Sequence, residues 1–172
     1  METIAITSTT PFDDEVRRLY ENSFPSDELI TWDVLLQLID KLKLDFTAYY
    51  EDAVFVGFTI VYPMPKYTWF WYFAVREDLR GQGVGQRILS VLIEKYQSHT
   101  CLLDVESPLQ TGCNNLDIRE RRHDFYLRNG FRDTCVYRYY GDVLMTIMIK
   151  GSGTFTLEDW DALIAQFRSR RR

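Results

Sequence analysis

Residues 67–86 read YTWFWYFAVREDLRGQGVGQ, and the fold follows from them. From Tyr67 to Val75 the run is apolar at every position but one, as expected of a central strand covered on both faces. Beyond the glycines, Val84, Ile88, Leu89, Leu92 and Ile93 recur at helical spacing, so a helix is predicted from Gly83 to about Gln97. Between strand and helix lie Arg80, Gly81, Gln82, Gly83, Val84 and Gly85. Glycines at alternate positions let the backbone curl closely and turn several N–H groups inward. Those amides, with the positive end of the next helix, form an anion site whose natural guest is a diphosphate.

Working outward, residues 3–7 read as a strand, and Thr10, Pro11 and Asp13 open a helix reaching about Ser23. Phe24-Pro25 breaks it, and the apolar spacing of Leu29, Trp32, Leu35, Leu36, Leu38, Ile39 and Leu42 predicts a second helix over 26–42. Segments 45–50 and 54–62 form a hairpin, and 101–106 is a buried strand. Asp117 with Glu120 reads as a capping box opening a helix to Asn129, ended by Gly130. Segments 131–140 and 143–150 make a closing strand pair, and Thr156 with Asp159 caps a final helix to about Phe167. The predicted class is α+β: one twisted, mostly antiparallel sheet of roughly six or seven strands flanked by helices. No linker divides the chain, so residues 1–172 are expected to form one domain, with a basic tail at 168–172.

Composition removes several function classes. With 46% hydrophobic and 15% aromatic residues the chain can build a full core, which excludes disorder. A net charge of −5, with the only basic run at the end of the chain, argues against nucleic acid and suits an amine partner. No apolar run approaches the ~18 residues of a membrane span. The first residues lack a basic region followed by an apolar stretch, so no leader is expected and a cytoplasmic location is predicted. Cys101, Cys113 and Cys135 form no CxxC pair, and His99 and His123 stand alone. Reduced thiols and no metal site follow.

The glycine loop departs from other diphosphate loops. A GxGxxG fingerprint starting at Gly81 would need a small residue where Gln86 stands, and a P-loop would need Gly-Lys-Ser/Thr. Arg80-Gly81-Gln82-Gly83-Val84-Gly85 instead resembles the Gln/Arg-x-x-Gly-x-Gly/Ala loop of the GNAT (Gcn5-related N-acetyltransferase) superfamily. Phe125-Tyr126-Leu127-Arg128-Asn129-Gly130-Phe131 resembles that superfamily's second signature, Phe-Tyr-x-x-x-Gly-Phe. The resemblance is close over 67–140 and extends to element order elsewhere.

The resemblance implies the GNAT fold, with acetyl-CoA as co-substrate and a primary amine, on a small molecule or a protein, as acceptor. It implies that the main chain of Phe73, Ala74 and Val75 pairs with the cofactor's pantetheine and supplies an oxyanion donor. Tyr126 would protonate the leaving sulfur. The usual Asn of relatives is replaced by Arg119, so Arg119, Arg121 and Arg122 become candidates for a phosphate or an acidic acceptor group, or a solvated helix face. Asp104 and Glu106 share one face of their strand; Glu106 is the candidate base and Asp104 a candidate acceptor-binding residue. Glu28 and Trp32, in the region lining the acceptor site of relatives, are candidate readers of a cation. A monomer or homodimer is expected. The competing reading is a non-catalytic acyl-CoA-binding or sensing module.

Overall fold

The computed structural model of the chain describes residues 1–10, 14–24 and 29–171. Its elements run β1 (Glu2–Ile6), α1 (Asp14–Ser23), α2 (Trp32–Leu42), β2 (Asp45–Glu51), β3 (Val54–Pro63) and β4 (Thr68–Val75). A single 3-10 turn at Glu77–Leu79 leads to α3 (Val84–Lys95), β5 (Cys101–Glu106), α4 (Leu116–Arg128), β6 (Arg132–Tyr140), β7 (Val143–Lys150) and α5 (Leu157–Arg171). The seven strands form one sheet in the order β1-β2-β3-β4-β5-β7-β6, antiparallel except where β4 meets β5. The strand read as central is therefore the middle one of the seven.

Helices cover both faces. Val16 and Tyr20 of α1, Leu35 and Leu38 of α2, and Trp160 and Leu163 of α5 join Phe46, Phe58, Ile60 and Trp69 in one buried cluster. On the opposite face Leu89 and Leu92 of α3 and Tyr126 of α4 pack with Val61, Phe70, Leu103 and Val105. Arg87 grips Glu51 through two parallel hydrogen bonds of 2.6 and 2.7 Å, fixing α3 to the end of the β2–β3 hairpin.

Two irregularities in β4 position everything that follows. Its parallel pairing with β5 lasts only for Thr68 with Cys101 and Trp69 with Leu102, after which the strands part. On its other edge, Phe70 pairs with Val61 and Tyr72 with Ile60, so Trp71 is an extra residue in a β-bulge. A bulge adds one residue to one strand and breaks the two-residue alternation of side chains. Trp69, Trp71 and Tyr72 consequently associate with the same core cluster, while Phe70 joins the opposite one.

Three local expectations are corrected. The second helix starts at Trp32 rather than residue 26, because Thr31 is its N-cap. Its apolar periodicity extends upstream into a segment that is not helical at Leu29 and Ile30. Asp117 does not open α4; the N-cap is Asn115, and Asp117 lies in the first turn, where its charge suits the helix dipole. The last helix runs past Phe167 to Arg171. The predicted box at its start does form, with the Thr156 amide donating to Asp159 (3.0 Å) and the Asp159 amide to the Thr156 hydroxyl (3.2 Å). Pro11 and Asp13 of the first predicted cap lie outside the described residues.

Gly57 in β3 went unread in the sequence. A Cβ there would stand 2.4 Å from the Ala74 carbonyl oxygen and 3.1 Å from Ile88 Cδ1, so only glycine lets β3, β4 and α3 approach this closely. Gly57→Ala should lower unfolding stability by about 2–3 kcal/mol through overpacking, measured by urea denaturation. A wild-type midpoint would show that the strands can part freely.

Candidate active site

Where β4 and β5 separate, a cleft of ≈ 1440 Å³ opens, walled by β4 from Trp69 to Val75 and by β5 from Leu103 to Glu106. Phe73, Ala74 and Val75 all line it, and after Trp69 the cleft-side edge of β4 has no strand partner among the described residues. That edge can receive the amides of an extended ligand as a further strand would.

The glycine loop forms one end. Gly81 and Gly83 adopt φ of +78° and +77°, and Gly83 is the N-cap of α3. The first backbone bond of the helix runs from the Arg87 amide to the Gly83 carbonyl (3.1 Å). The amides of Val84, Gly85 and Gln86 thus precede any intrahelical acceptor and remain available to an anion. Arg80, Gly81, Gly83 and Gly85 line the cleft, with Arg121, Arg122 and Arg128. Gln82 turns away to donate to the Asp78 carbonyl, and Val84 is buried beneath the loop, so both contribute main chain only. A Cβ on Gly81 would meet nothing within 4 Å, so the loop borders open space. These donors and this space fit a ligand carrying a diphosphate.

Tyr126 stands opposite, on the last turn of α4. The Phe131 amide donates to the Tyr126 carbonyl (3.1 Å) and the Gly130 amide to that of Leu127 (3.0 Å), with Gly130 at φ +82°. This is a Schellman cap, and the contact of the Tyr126 and Phe131 rings (centroids 5.6 Å apart) is the apolar contact such caps carry. The Phe-Tyr-x-x-x-Gly-Phe pattern is thus a helix stop that fixes its own tyrosine. Asn129 ties the stop to the glycine-loop helix, donating to Gln86 Oε1 (3.0 Å). The Tyr126 hydroxyl accepts and donates no hydrogen bond among the described residues while its ring lines the cleft. Burial pushes the phenol up to about 12; Arg122 opposes that shift and the Asp104 charge adds to it. It therefore holds its proton at neutral pH.

The two β5 carboxylates have different surroundings. Both oxygens of Glu106 are engaged: Oε1 by Arg119 (3.1 Å), Oε2 by Arg122 (3.3 Å) and Asn115 (3.5 Å). Asp104 accepts a hydrogen bond from the Trp69 indole (2.9 Å), and burial raises its carboxyl from 3.8 to about 6 against the pull of that bond and of its own main-chain amide. Arg119 is neither a solvated residue nor a ligand for phosphate. Only 4% exposed, it binds Asn115 Oδ1 (2.7 Å), Gln110 Oε1 (2.7 Å) and the Ser107 carbonyl (3.2 Å) besides Glu106. It thereby fixes the connection between β5 and α4.

The remaining expected acceptor residues do not assemble here. Trp32 is core, 5% exposed and edge-on to Phe46, and does not line the cleft. Its place in the apolar stripe of α2 explains why. Glu28 lies outside the described residues. Trp69, Trp71, Tyr72 and Phe167, none of them a site candidate from the sequence, line the cleft. The alternation of Trp69 and Trp71 was a legible signal for a shared face; the presence of Tyr72 on that face depends on the bulge. Among the described residues no His, Cys, Asp and Glu cluster could hold a metal ion, and no helix is long and apolar enough to cross a membrane.

The family profile described as an acetyltransferase (GNAT) domain matches residues 43–133, over half of the chain. No curated protein matches in sequence. Among solved structures, a protein of Bacteroides thetaiotaomicron described as a GNAT-family acetyltransferase superimposes with a TM-score of 0.76 at 23% identity, over 98% of this chain and 97% of that one. A GNAT-family acetyltransferase of Elizabethkingia anophelis, solved with acetyl-CoA bound, gives 0.59 at 15% identity over 88% and 97%. An aminoglycoside 6'-N-acetyltransferase complexed with coenzyme A gives 0.63 at 16% over 87% and 96%.

Asp104 has a measurable consequence for stability. Its folded value lies above its unfolded one, so the charged form is disfavoured in the fold and stability is lost as pH rises through about 6. Asp104→Asn should match the wild type below about pH 4 and gain in melting temperature over it between pH 4 and 7. A constant difference across that range would contradict the buried, shifted carboxyl.

Proposed function

Since the chain belongs to the GNAT acetyltransferase family, we propose that it moves the acetyl group of acetyl-CoA directly onto the nitrogen of a primary amine. The observation that carries this reading is the convergence, on one cleft, of the glycine-loop amides, the unpaired edge of β4 and the Tyr126 hydroxyl. The loop amides and the arginines beside them hold the diphosphate of the co-substrate, and the main chain of Phe73, Ala74 and Val75 takes its pantetheine arm. A main-chain N–H of this segment stabilises the charge that develops on the carbonyl oxygen.

Protons move through two side chains. An amine arrives as ammonium and must lose one proton before it attacks. Asp104 takes it: among the described side chains only the Trp69 indole binds its oxygens, and its value near 6 lets it accept a proton at neutral pH and release it again. Glu106, held by Arg119 and Arg122, is assigned instead to positioning those arginines. As the nitrogen–carbon bond forms and the carbon–sulfur bond breaks, the Tyr126 hydroxyl gives its proton to the sulfur. It recovers one from the nitrogen, which sheds its second proton on becoming an amide. The products are the amide, free CoA thiol and one proton passed to solvent by Asp104. A module that only binds acyl-CoA would have no use for this acid and base pair beside the cleft.

Tyr126→Phe should reduce turnover by about 10²-fold or more, followed by thiol release, with acetyl-CoA affinity and melting temperature nearly unchanged. Full activity in that variant would remove the acid role. In the wild type, kcat/KM should rise with pH through about 6 and then level, and Asp104→Asn should lose that limb. Gly83→Val forces a branched side chain onto φ +77° with Cβ 3.2 Å from Arg87 Nη1, and should weaken acetyl-CoA binding far more than Arg80→Ala does. Equal effects from the two, by calorimetry, would count against a main-chain cradle.

A further inference from the structure

The acceptor half of the cleft has a definite chemistry. Trp69 and Trp71 stack with ring centroids 5.4 Å apart at 29°, and Trp71 continues onto Tyr72 at 4.9 Å and 30°. Phe167 of α5 stands edge-on to Trp71 at 5.0 Å and 78°, and Phe24 closes on Tyr72 at 4.9 Å and 66°. The bulge at Trp71 builds this wall, since a regular strand would send one of Trp71 and Tyr72 to the opposite face. Trp69 and Tyr72 are buried and hold the half-buried Trp71 in place, so its indole offers a face on which another flat ring can stack, with edge-to-face contact from Phe167.

Charge narrows the class further. Among the described residues, Asp104 and Glu106 are the only carboxylates lining the cleft, against Arg80, Arg121, Arg122, Arg128, Arg138 and Arg168. Glu106 is already neutralised, by Arg119 and by Arg122 of that set. Arg138 is paired with Asp161, and among the described carboxylates of the cleft Asp104, beside the Trp69 indole, is left to receive a cation. A single amine beside a ring meets both features: Asp104 takes the nitrogen and the indoles take the body.

Resting on the acetyltransferase reading above, we propose that the acceptor is a small arylalkylamine, one primary amine on a short chain from an aromatic ring, lying along Trp69, Trp71 and Tyr72. The test uses the purified full chain with acetyl-CoA and follows thiol release with phenethylamine, tryptamine, propylamine, spermidine and kanamycin. The aromatic amines should exceed propylamine, spermidine and kanamycin by at least about 10-fold in kcat/KM. Trp71→Ala should raise KM for phenethylamine about 10-fold with KM for acetyl-CoA unchanged, and Trp71→Phe, which keeps a ring on the bulge, should restore most of it.

Calorimetry with acetyl-CoA separates this proposal from the reading it rests on. No binding of acetyl-CoA and no release with any amine overturns the acetyltransferase reading itself. Binding of acetyl-CoA with preference for spermidine, kanamycin or propylamine overturns the aromatic acceptor alone. If acetyl-CoA binds and no amine is turned over, phenethylamine should still quench tryptophan fluorescence in the wild type and not in Trp71→Ala; no quenching overturns the proposal.

Discussion

Parallel pairing of β4 with β5 ends after two residue pairs, and the remainder of the molecule is arranged around that parting. A sheet interrupted in its middle loses ladder hydrogen bonds and exposes main chain that would otherwise be satisfied. Cohesion has to come from elsewhere, and it comes from each half separately. On one side, β1 to β4 form an antiparallel meander under α1 and α2; on the other, β5 is held along its whole length by β7. The helices bridge the gap. α5 packs Trp160 and Phe167 against Trp69, and the Gln86–Asn129 amide pair joins the start of α3 to the end of α4.

The two ends of the opening differ in chemistry because different elements border them. Toward α3 and α4 the lining is amide and guanidinium; toward α1 and α5 it is indole, phenol and phenyl. Tyr126 on α4 and Asp104 on β5, the proposed acid and base, sit between. Their charges feel each other, since ionised Asp104 makes it harder for the phenol to lose its proton. Arg119 keeps this arrangement in register. By spending its donors on Glu106 and the β5–α4 connection, it holds the helix bearing Tyr126 at a set distance from the strand bearing Asp104.

Much of this was legible in the residues. β5 and β7 have the bounds that their apolar runs indicate, and the glycine loop caps a helix because nothing else suits glycines at alternate positions there. Tyr126 was legible through its Gly130-Phe131 stop, a local device whose geometry needs no tertiary contact. What escaped the sequence depends on long-range pairing. The bulge at Trp71 is a property of β4 against β3, and Gly57 is required only by the closeness of Ala74 and Ile88. Trp32 reads the same whether it faces a ligand or the core. Arg119 looks like any helix arginine until the loop that it binds is folded around it, and Glu106 looks like a free carboxylate until Arg119 is in place.

The bulge also bears on how such a chain can change over time. Substitutions in the wall alter the size and polarity of single side chains and leave their neighbours in place. Loss of one residue from β4 at position 71 would go only a step further. It would return the strand to strict alternation with Phe70 still opposite Val61 and Tyr72 still opposite Ile60, so every neighbour would keep its face and one ring alone would leave the wall. Elsewhere along β4 a lost residue shifts the register and turns side chains to the other face, so the strand is open to replacement throughout and to deletion at the bulge alone.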